Sequence, residues 1–446
     1  MKLTKLSLAA IVAAGALTSV ASAASLEEAI KNVEVTGYAR YRFDSKSNTT
    51  GRTGTTGFGE VVEANTNNSH RFTSDIDFKA ALDDRFFGVI GFRYDSVDSS
   101  GERVNSKTMV GVDDRGEDSF GQTFNIRQFY LGYTAGNTTV MAGRQVLGTF
   151  FTDDMVGTGI KVLNSDIGGL TLVGMAFDNL QNDSDIGLSA FILGNAKATL
   201  DPSTGEVSGK LEYVTDRNLY GVAAIGSYDP VSFQLWYSAL DSVAQLYAAD
   251  VTLGANIGDV DLSLQAQAAG SSMWANSARA VVYDFTQVPA KYEMADLNLD
   301  DATFLAAKLG AKGFGFDGSV GYININTKDN GYSLISFEDQ GGFITAGEDL
   351  LDYTFIDGDL SAYFVTAGYT FANKVRVGAD YVGMRVVYNE IKNIDPSSTV
   401  DAYEAVARVD YKYSKKLNFK AWYSYMNGDN ETSDNQHLRF EARYNF

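Results

Sequence analysis

Two adjacent carboxylates, Asp153 and Asp154, and seven basic side chains, Arg40, Arg42, Lys79, Arg93, Arg408, Arg439 and Arg443, are the residues of this sequence whose types and spacing could do chemistry. Each basic residue stands in a stretch whose alternate positions are apolar, so the charges gather on one face. The chemistry this offers is electrostatic: fixed charges that orient polar solutes and ions. Carboxylates also take the hard cation Ca²⁺ through oxygen. Asp153 and Asp154, joined by Glu338 from Phe337-Glu338-Asp339-Gln340, make a candidate calcium set, with Asp183-Ser184-Asp185 a weaker one. In a chain with 56 acids an Asp pair is usually a solvated loop, so spacing alone does not decide. Catalytic groups are scarce. The chain has no cysteine, and His70 and His437 are its two histidines, neither in an arrangement that suggests a Ser-His-Asp triad. No paired-acid motif of a glycosidase stands out, so an enzyme is not expected.

The element that must carry these residues is the β-strand. In the last ten residues Leu438, Phe440, Ala442, Tyr444 and Phe446 alternate with His437, Arg439, Glu441, Arg443 and Asn445. Strand side chains point alternately to opposite faces, so one face is apolar and the other charged. A strand of this length, greasy outside and charged inside, fits a transmembrane barrel. Near the start, Val33, Val35, Gly37, Ala39, Tyr41 and Phe43 oppose Glu34, Thr36, Tyr38, Arg40, Arg42 and Asp44. Further strands follow at Phe72–Ala80, Phe86–Asp95, Thr123–Thr134, Thr138–Val146, Gly157–Leu163, Leu170–Phe177, Asn218–Tyr228, Val231–Asp241 and Ala244–Gly254. The pattern continues through Val260–Gly270, Ala302–Gly313, Gly315–Ile325, Ser361–Phe371, Val375–Tyr388, Ala402–Tyr413 and Leu417–Met426, giving 18 strands, with 16 as the alternative count.

The connections sort by length. Short turns (Asp83-Asp84, Ala135-Gly136-Asn137, Asp229-Pro230, Asn256-Ile257-Gly258, Ala372-Asn373-Lys374, Ser414-Lys415-Lys416) fall on the side of the termini. Long polar segments (Ser45–Arg71, Ser96–Gln122, Asp178–Arg217, Ser271–Asp301, Asn326–Leu360, Asn389–Asp401) fall on the other. Short periplasmic turns and long external loops are the mark of an outer-membrane β-barrel. The expected fold is therefore all-β, a transmembrane antiparallel barrel, with Tyr41, Phe43, Tyr133, Tyr228, Tyr369, Phe371, Tyr411, Tyr413, Tyr425 and Phe446 suited to the interfacial girdles.

Composition agrees. Lys2 and Lys5, the apolar run Leu6–Val20 and Ala21-Ser22-Ala23 read as a secretory signal over residues 1–23, leaving 24–446 as one barrel domain without a plug. Removing the signal takes the formal charge from −20 to −22, which argues against nucleic acid as a partner. An exported chain without cysteine points to the envelope of a Gram-negative bacterium. A barrel of this size encloses water rather than a packed core, which is the architecture of a passive diffusion channel for small hydrophilic solutes and ions. Leu147–Val156 follows the fifth strand, where the third external loop of a porin folds inward. Asp153 and Asp154 would then stand at a constriction opposite the basic side chains.

At these residues the chain resembles the Campylobacter-type major outer membrane porins. The resemblance rests on Leu26-Glu27-Glu28-Ala29-Ile30-Lys31, Val156-Gly157-Thr158-Gly159-Ile160-Lys161-Val162, Asn218-Leu219-Tyr220-Gly221-Val222-Ala223-Ala224, Glu338-Asp339-Gln340-Gly341 and Glu404-Ala405-Val406-Ala407-Arg408-Val409-Asp410-Tyr411-Lys412-Tyr413-Ser414. It implies an 18-stranded homotrimer in outer-membrane lipid, folded by the barrel assembly machinery, with calcium near the eyelet at Asp153 or Asp154 and Glu338. The third loop is shorter here, with residues missing between Thr152 and Val156. Two alternatives stand beside this reading: a substrate-selective outer-membrane channel, and a surface adhesin or antigen with secondary pore activity.

Overall fold

A strand buried in hydrocarbon cannot leave backbone N–H and C=O groups unpaired, so a spanning sheet must close on itself. The computed structural model describes residues 33–48, 65–100, 125–181, 185–186, 192–193, 197–201, 203, 207–210, 212–274, 277–284, 291–328, 332–336, 342–351, 358–388, 398–428 and 435–446. In chain order the strands are β1 (Glu34–Asn48), β2 (Asn65–Ala81), β3 (Phe86–Ser100), β4 (Asn125–Ala135), β5 (Thr138–Val146), β6 (Val156–Asn164), β7 (Leu170–Leu180), β8 (Ile192–Leu193), β9 (Lys197–Leu200), β10 (Val207–Lys210), β11 (Leu219–Tyr228) and β12 (Val231–Leu240). They continue with β13 (Ala244–Ile257), β14 (Val260–Met273), β15 (Ser277–Asp284), β16 (Lys291–Asn298), β17 (Ala302–Gly313), β18 (Phe316–Thr327), β19 (Gly358–Phe371), β20 (Val375–Tyr388), β21 (Ser398–Lys412), β22 (Leu417–Gly428) and β23 (Asn435–Asn445).

Eighteen of these, all but β8–β10 and β15–β16, form one antiparallel sheet in which each strand pairs with its neighbours. Strand β1 pairs with β2 on one side and with β23 on the other, from Tyr38 opposite Asn445 to Asn48 opposite Asn435. The sheet is therefore a closed barrel of the expected strand number. Strand β13 runs three residues past the expected Gly254, to Ile257, and Gly258, with φ +63°, supplies the left-handed turn residue before β14. The long polar segments also contain more structure than expected. Strands β15 and β16 pair as a hairpin joined by β8, and β9 pairs with β10. These strands satisfy their backbone groups with each other and so need no place in the ring.

The outward rows are apolar and exposed, including Val222, Leu305, Leu309, Val320 and Val365. Rings cluster at the strand ends: Phe86 with Tyr133 at 4.7 Å, Phe316 with Tyr369 at 4.6 Å, and Tyr369 with Phe371 at 4.7 Å between centroids. Tyr363, Tyr381, Tyr403 and Tyr425 form a diagonal ladder across β19–β22, each 6.0–6.2 Å from the next. Amphipathic rings of this kind suit the membrane interfaces.

An outward charge near the middle of a strand should cost about 2–4 kcal/mol. Leu309→Arg is expected to lower barrel stability by that amount in urea unfolding followed by heat-modifiable gel mobility. The inward Thr252→Lys on β13 is expected to stay within about 0.5 kcal/mol.

Candidate functional site

The face opposite the apolar rows carries the charges. Arg40 and Arg42 on β1, Lys79 on β2, Arg93 on β3, Arg408 on β21, and Arg439 and Arg443 on β23 all alternate with outward residues and point to the barrel interior. The inward groups fall into three clusters.

The first joins the loop at 147–155 to the wall. Arg93 forms a two-pronged pair with Asp75, Nε to Oδ1 at 2.7 Å and Nη2 to Oδ2 at 2.8 Å. Arg127 donates to the same carboxylate at 2.8 Å. Both guanidiniums also grip Asp154, Arg93 through Nη2 and Arg127 through Nη2 at 3.0 Å. Asp154 is thus closed onto the wall rather than held across open water from Arg93. Burial disfavours its charge, but the Arg127 and Arg93 guanidiniums outweigh that and hold the carboxyl below the ordinary range.

Arg127 has no place in an alternation-based list. Strict period two along β4 sends it toward lipid. A register shift between Gly91 and Phe92 on β3 leaves Gly91 opposite Gln128 and Phe92 opposite Ile126. This bulge turns both Arg127 and Gln128 inward, where Gln128 donates to Asp77 at 2.9 Å, and leaves Ile126 outside.

The second cluster docks residues 342–351, which lie within the long polar segment Asn326–Leu360. The Glu404 carboxylate on β21 is fully buried and accepts the backbone N–H groups of Glu348 at 3.0 Å, Asp349 at 3.1 Å and Leu350 at 3.1 Å, and the Ser424 hydroxyl at 2.6 Å. Successive N–H groups turned on one anion make a nest. Gly347 permits it: its φ is +84°, and a Cβ there would lie 2.1 Å from Glu404 Oε2. Arg408 bridges Asp380 and Glu348, the latter at 2.8 Å. His437 sits between Asp349 at 2.7 Å and Asp44 at 2.8 Å, with its ring edge-on to Trp422.

The two inward segments meet. Gly342 N–H donates to Phe150 O at 2.7 Å, and Phe343 stacks edge-on with Phe150 at 4.8 Å and Phe304 at 4.9 Å. Gln267 on β14 clamps the same stretch, donating to Gly342 O and accepting from Ile344 N–H, each at 2.7 Å. Lys161 donates to the carbonyls of Val146 at 2.8 Å and Leu147 at 3.2 Å, fixing the root of the other loop. Phe150, Phe151, Phe304, Ile344, Leu360 and Phe364 are among the side chains buried here. An apolar core thus fills part of the interior, lined by buried side chains of β5–β7, β11–β14 and β17–β20, while the ion pairs described here concentrate on β1–β4 and β20–β23.

The third cluster lies on the closing seam. Arg42 pairs with Glu441 at 2.9 Å, and Arg439 pairs with Asp44. Arg40 and Arg443 stand directly opposite each other. On β2 the Lys79 Nζ lies 4.7 Å from the Phe87 ring centre. Asp153 donates its backbone N–H to Asp185 Oδ2 at 2.8 Å. Glu338 lies outside the described residues. Among the described residues no group of three or more His, Asp or Glu side chains could hold a metal ion.

The family described as Campylobacter major outer membrane protein matches residues 1–446, the whole chain. No curated protein matches by sequence. Solved structures are similar in fold. Acinetobacter baumannii OccAB4 aligns with TM-score 0.63 at 10% identity, covering 93% of this chain and 98% of its own. Pseudomonas aeruginosa OccK9 (OpdG) gives TM-score 0.62 at 13% identity, covering 94% and 99%. Pseudomonas aeruginosa OpdK, solved with vanillate, gives 0.60 at 12%, covering 93% and 99%.

Glu404→Ala would strand three N–H groups and is expected to cost about 3 kcal/mol, read by urea unfolding, and to raise single-channel conductance as 342–351 undocks. A carboxyl with a folded pKa below its unfolded value of about 3.9 stabilises the fold above that pH, and the contribution is lost as pH falls through the folded pKa. Asp154→Asn is therefore expected to lower the unfolding midpoint at neutral pH, with the gap from the parent closing in acid below about pH 4.

Proposed function

The chain belongs to the Campylobacter major outer membrane protein family and is an outer-membrane porin, and from that premise we propose that it passes small hydrophilic solutes and ions by passive diffusion through a charged constriction, as a conduit rather than an enzyme. The observation that carries this is the division of the interior. Apolar side chains of the two inward segments join a buried core lined by β5–β7, β11–β14 and β17–β20, and Arg40, Arg42, Arg93, Arg408, Arg439 and Arg443 gather on β1, β3, β21 and β23. Solutes then travel beside fixed charges of both signs, where the field orients dipoles and sets ion preference.

A second reading, a substrate-selective channel, is favoured by the surplus of guanidiniums at the seam and by the fold shared with OpdK, a protein solved with vanillate. The two readings separate in planar bilayers. General diffusion predicts ohmic current that rises linearly with salt; a small current that saturates with one solute would overturn it.

Residues 1–23 act as the export signal and 24–446 as the barrel domain; the mature protein is a homotrimer inserted by the barrel assembly machinery. The family resemblance supports the trimer, and the apolar alternation ending at Phe446 supports the insertion route.

Calcium near the constriction is part of the same proposal. Asp154 fits it poorly, since Arg93 and Arg127 already hold its carboxylate. Asp153 and Asp185 supply two acids, short of the six to eight oxygens that Ca²⁺ takes, so Glu338 would have to join them. Chelation is expected to lower the thermal transition of the parent and to leave Asp153→Ala unchanged; a parent indifferent to chelation removes calcium from the account.

A further inference from the structure

Arg40 and Arg443 face each other directly across the β1–β23 seam. Like charges in directly opposed positions of an antiparallel pair repel, so the arrangement calls for a counter-charge. The seam does not provide one. Glu441 is taken by Arg42 and Asp44 by Arg439, so the four guanidiniums of the paired stretch, Tyr38–Asn48 against Asn435–Asn445, share its two carboxylates. Arg40 donates to the neutral Thr73 hydroxyl at 3.3 Å, and Arg443 Nε to the Asn445 side-chain oxygen at 3.0 Å. Among the described residues neither arginine forms a salt bridge; Asp154 and Glu441 reach Arg40 only through the field. Arg40 Nε is buried and has no acceptor among the described residues, an orphan donor that native structures rarely leave.

The two cations are nonetheless held in place. The Arg443 Cζ lies 3.9 Å from the Tyr38 ring centre, and the Arg40 Cζ lies 5.6 Å from it. Stacking on an aromatic face orients a guanidinium and leaves its N–H edge free.

We propose that Arg40 and Arg443, steadied by Tyr38, form an oxyanion subsite on the lumen wall, a station for the carboxylate or phosphate group of a solute in transit. A planar fork of donors matches the two oxygens of such a group, which a spherical halide cannot reproduce. Bound there, the oxyanion neutralises the repulsion that the fold leaves standing. The subsite rests on the diffusion reading above, for it supplies an interaction along that path.

The test uses the full-length protein in planar bilayers, with benzoate or inorganic phosphate added on one side of a potassium chloride bath. The parent is expected to show a current that falls and saturates as the oxyanion rises. In R40Q/R443Q the half-blocking concentration should rise about tenfold, while Lys415→Gln, the same loss of charge on the turn between β21 and β22, leaves it unchanged. Arg443→Lys keeps the charge but removes the fork, so weaker block in it assigns the effect to the fork. Block by benzoate alone, or by phosphate alone, identifies the oxyanion served. The same site is read without current by the unfolding midpoint, which benzoate or phosphate should raise in the parent but not in R40Q/R443Q. Equal block and equal thermal shift in parent and double variant would overturn the subsite. A parent that carries no ohmic current would fail the diffusion reading instead, with the thermal shift still deciding the subsite.

Discussion

Everything in this structure depends on the pairing of β1 with β23. Without that seam, two strand edges would face hydrocarbon with their backbone groups unpaired, at several kcal/mol per group. Closure does more than satisfy hydrogen bonds. It fixes the parity of every strand, because a slip of one residue exchanges the two faces. With Arg42 opposite Glu441 and Phe43 opposite Phe440, ions pair with ions and rings with rings. One step of slip of β23 would drive Arg439 and Arg443 into lipid. The same register that seals the barrel therefore gathers the cations on the wet side.

The barrel was legible in the sequence because its signal is local. Alternation such as Val260, Leu262, Leu264 against Asp261, Ser263, Gln265 needs only neighbours to be seen, and it led to the observed number of strands. Inward placement of Arg93 or Arg439 followed from the same parity. What escaped depends on departures from period two or on distant partners. Arg127 is turned inward by a bulge whose cause is the pairing with β3, and no count along β4 alone reveals it. Residues 342–351 carry no period at all. Their conformation is dictated by Glu404, more than fifty positions away, and by Gln267 on β14, still further off in the sequence. Glu404 had looked like one polar residue on a strand face; its burial under a backbone nest emerges only when both partners are in place. Gly347 was the one local hint, since a left-handed glycine in a loop invites a close approach.

The clusters also show how a polar interior tolerates charge. Desolvating an ion is costly, and an isolated pair often repays only part of that cost. Here the charges are shared in networks: Asp75 and Asp154 between Arg93 and Arg127, Arg408 between Asp380 and Glu348. Asp75 and Asp154 thereby each meet two donors and Arg408 meets two acceptors, and removing a single member leaves a buried partner exposed to the full penalty. The inward loops are in this way tied to the wall by the residues that carry the field. The electrostatics of the path and the mechanical docking of its constricting segments are one set of contacts.

This coupling bears on how selectivity should be judged from sequence. The chain carries a formal charge of −20, which on its face predicts exclusion of anions. Yet at physiological salt a charge is screened beyond about 8 Å, so a solute against the seam responds to the side chains beside it and not to the sum over the molecule. Along that wall Asp44, Asp75, Asp154 and Glu441 are all paired with arginines, and among the described residues the guanidiniums of Arg40 and Arg443 form no salt bridge. The preference of such a channel follows from which ions in its wall lack partners. Net charge, which weighs the external loops as heavily as the lumen, describes how the molecule meets its surroundings and says little about what moves through it.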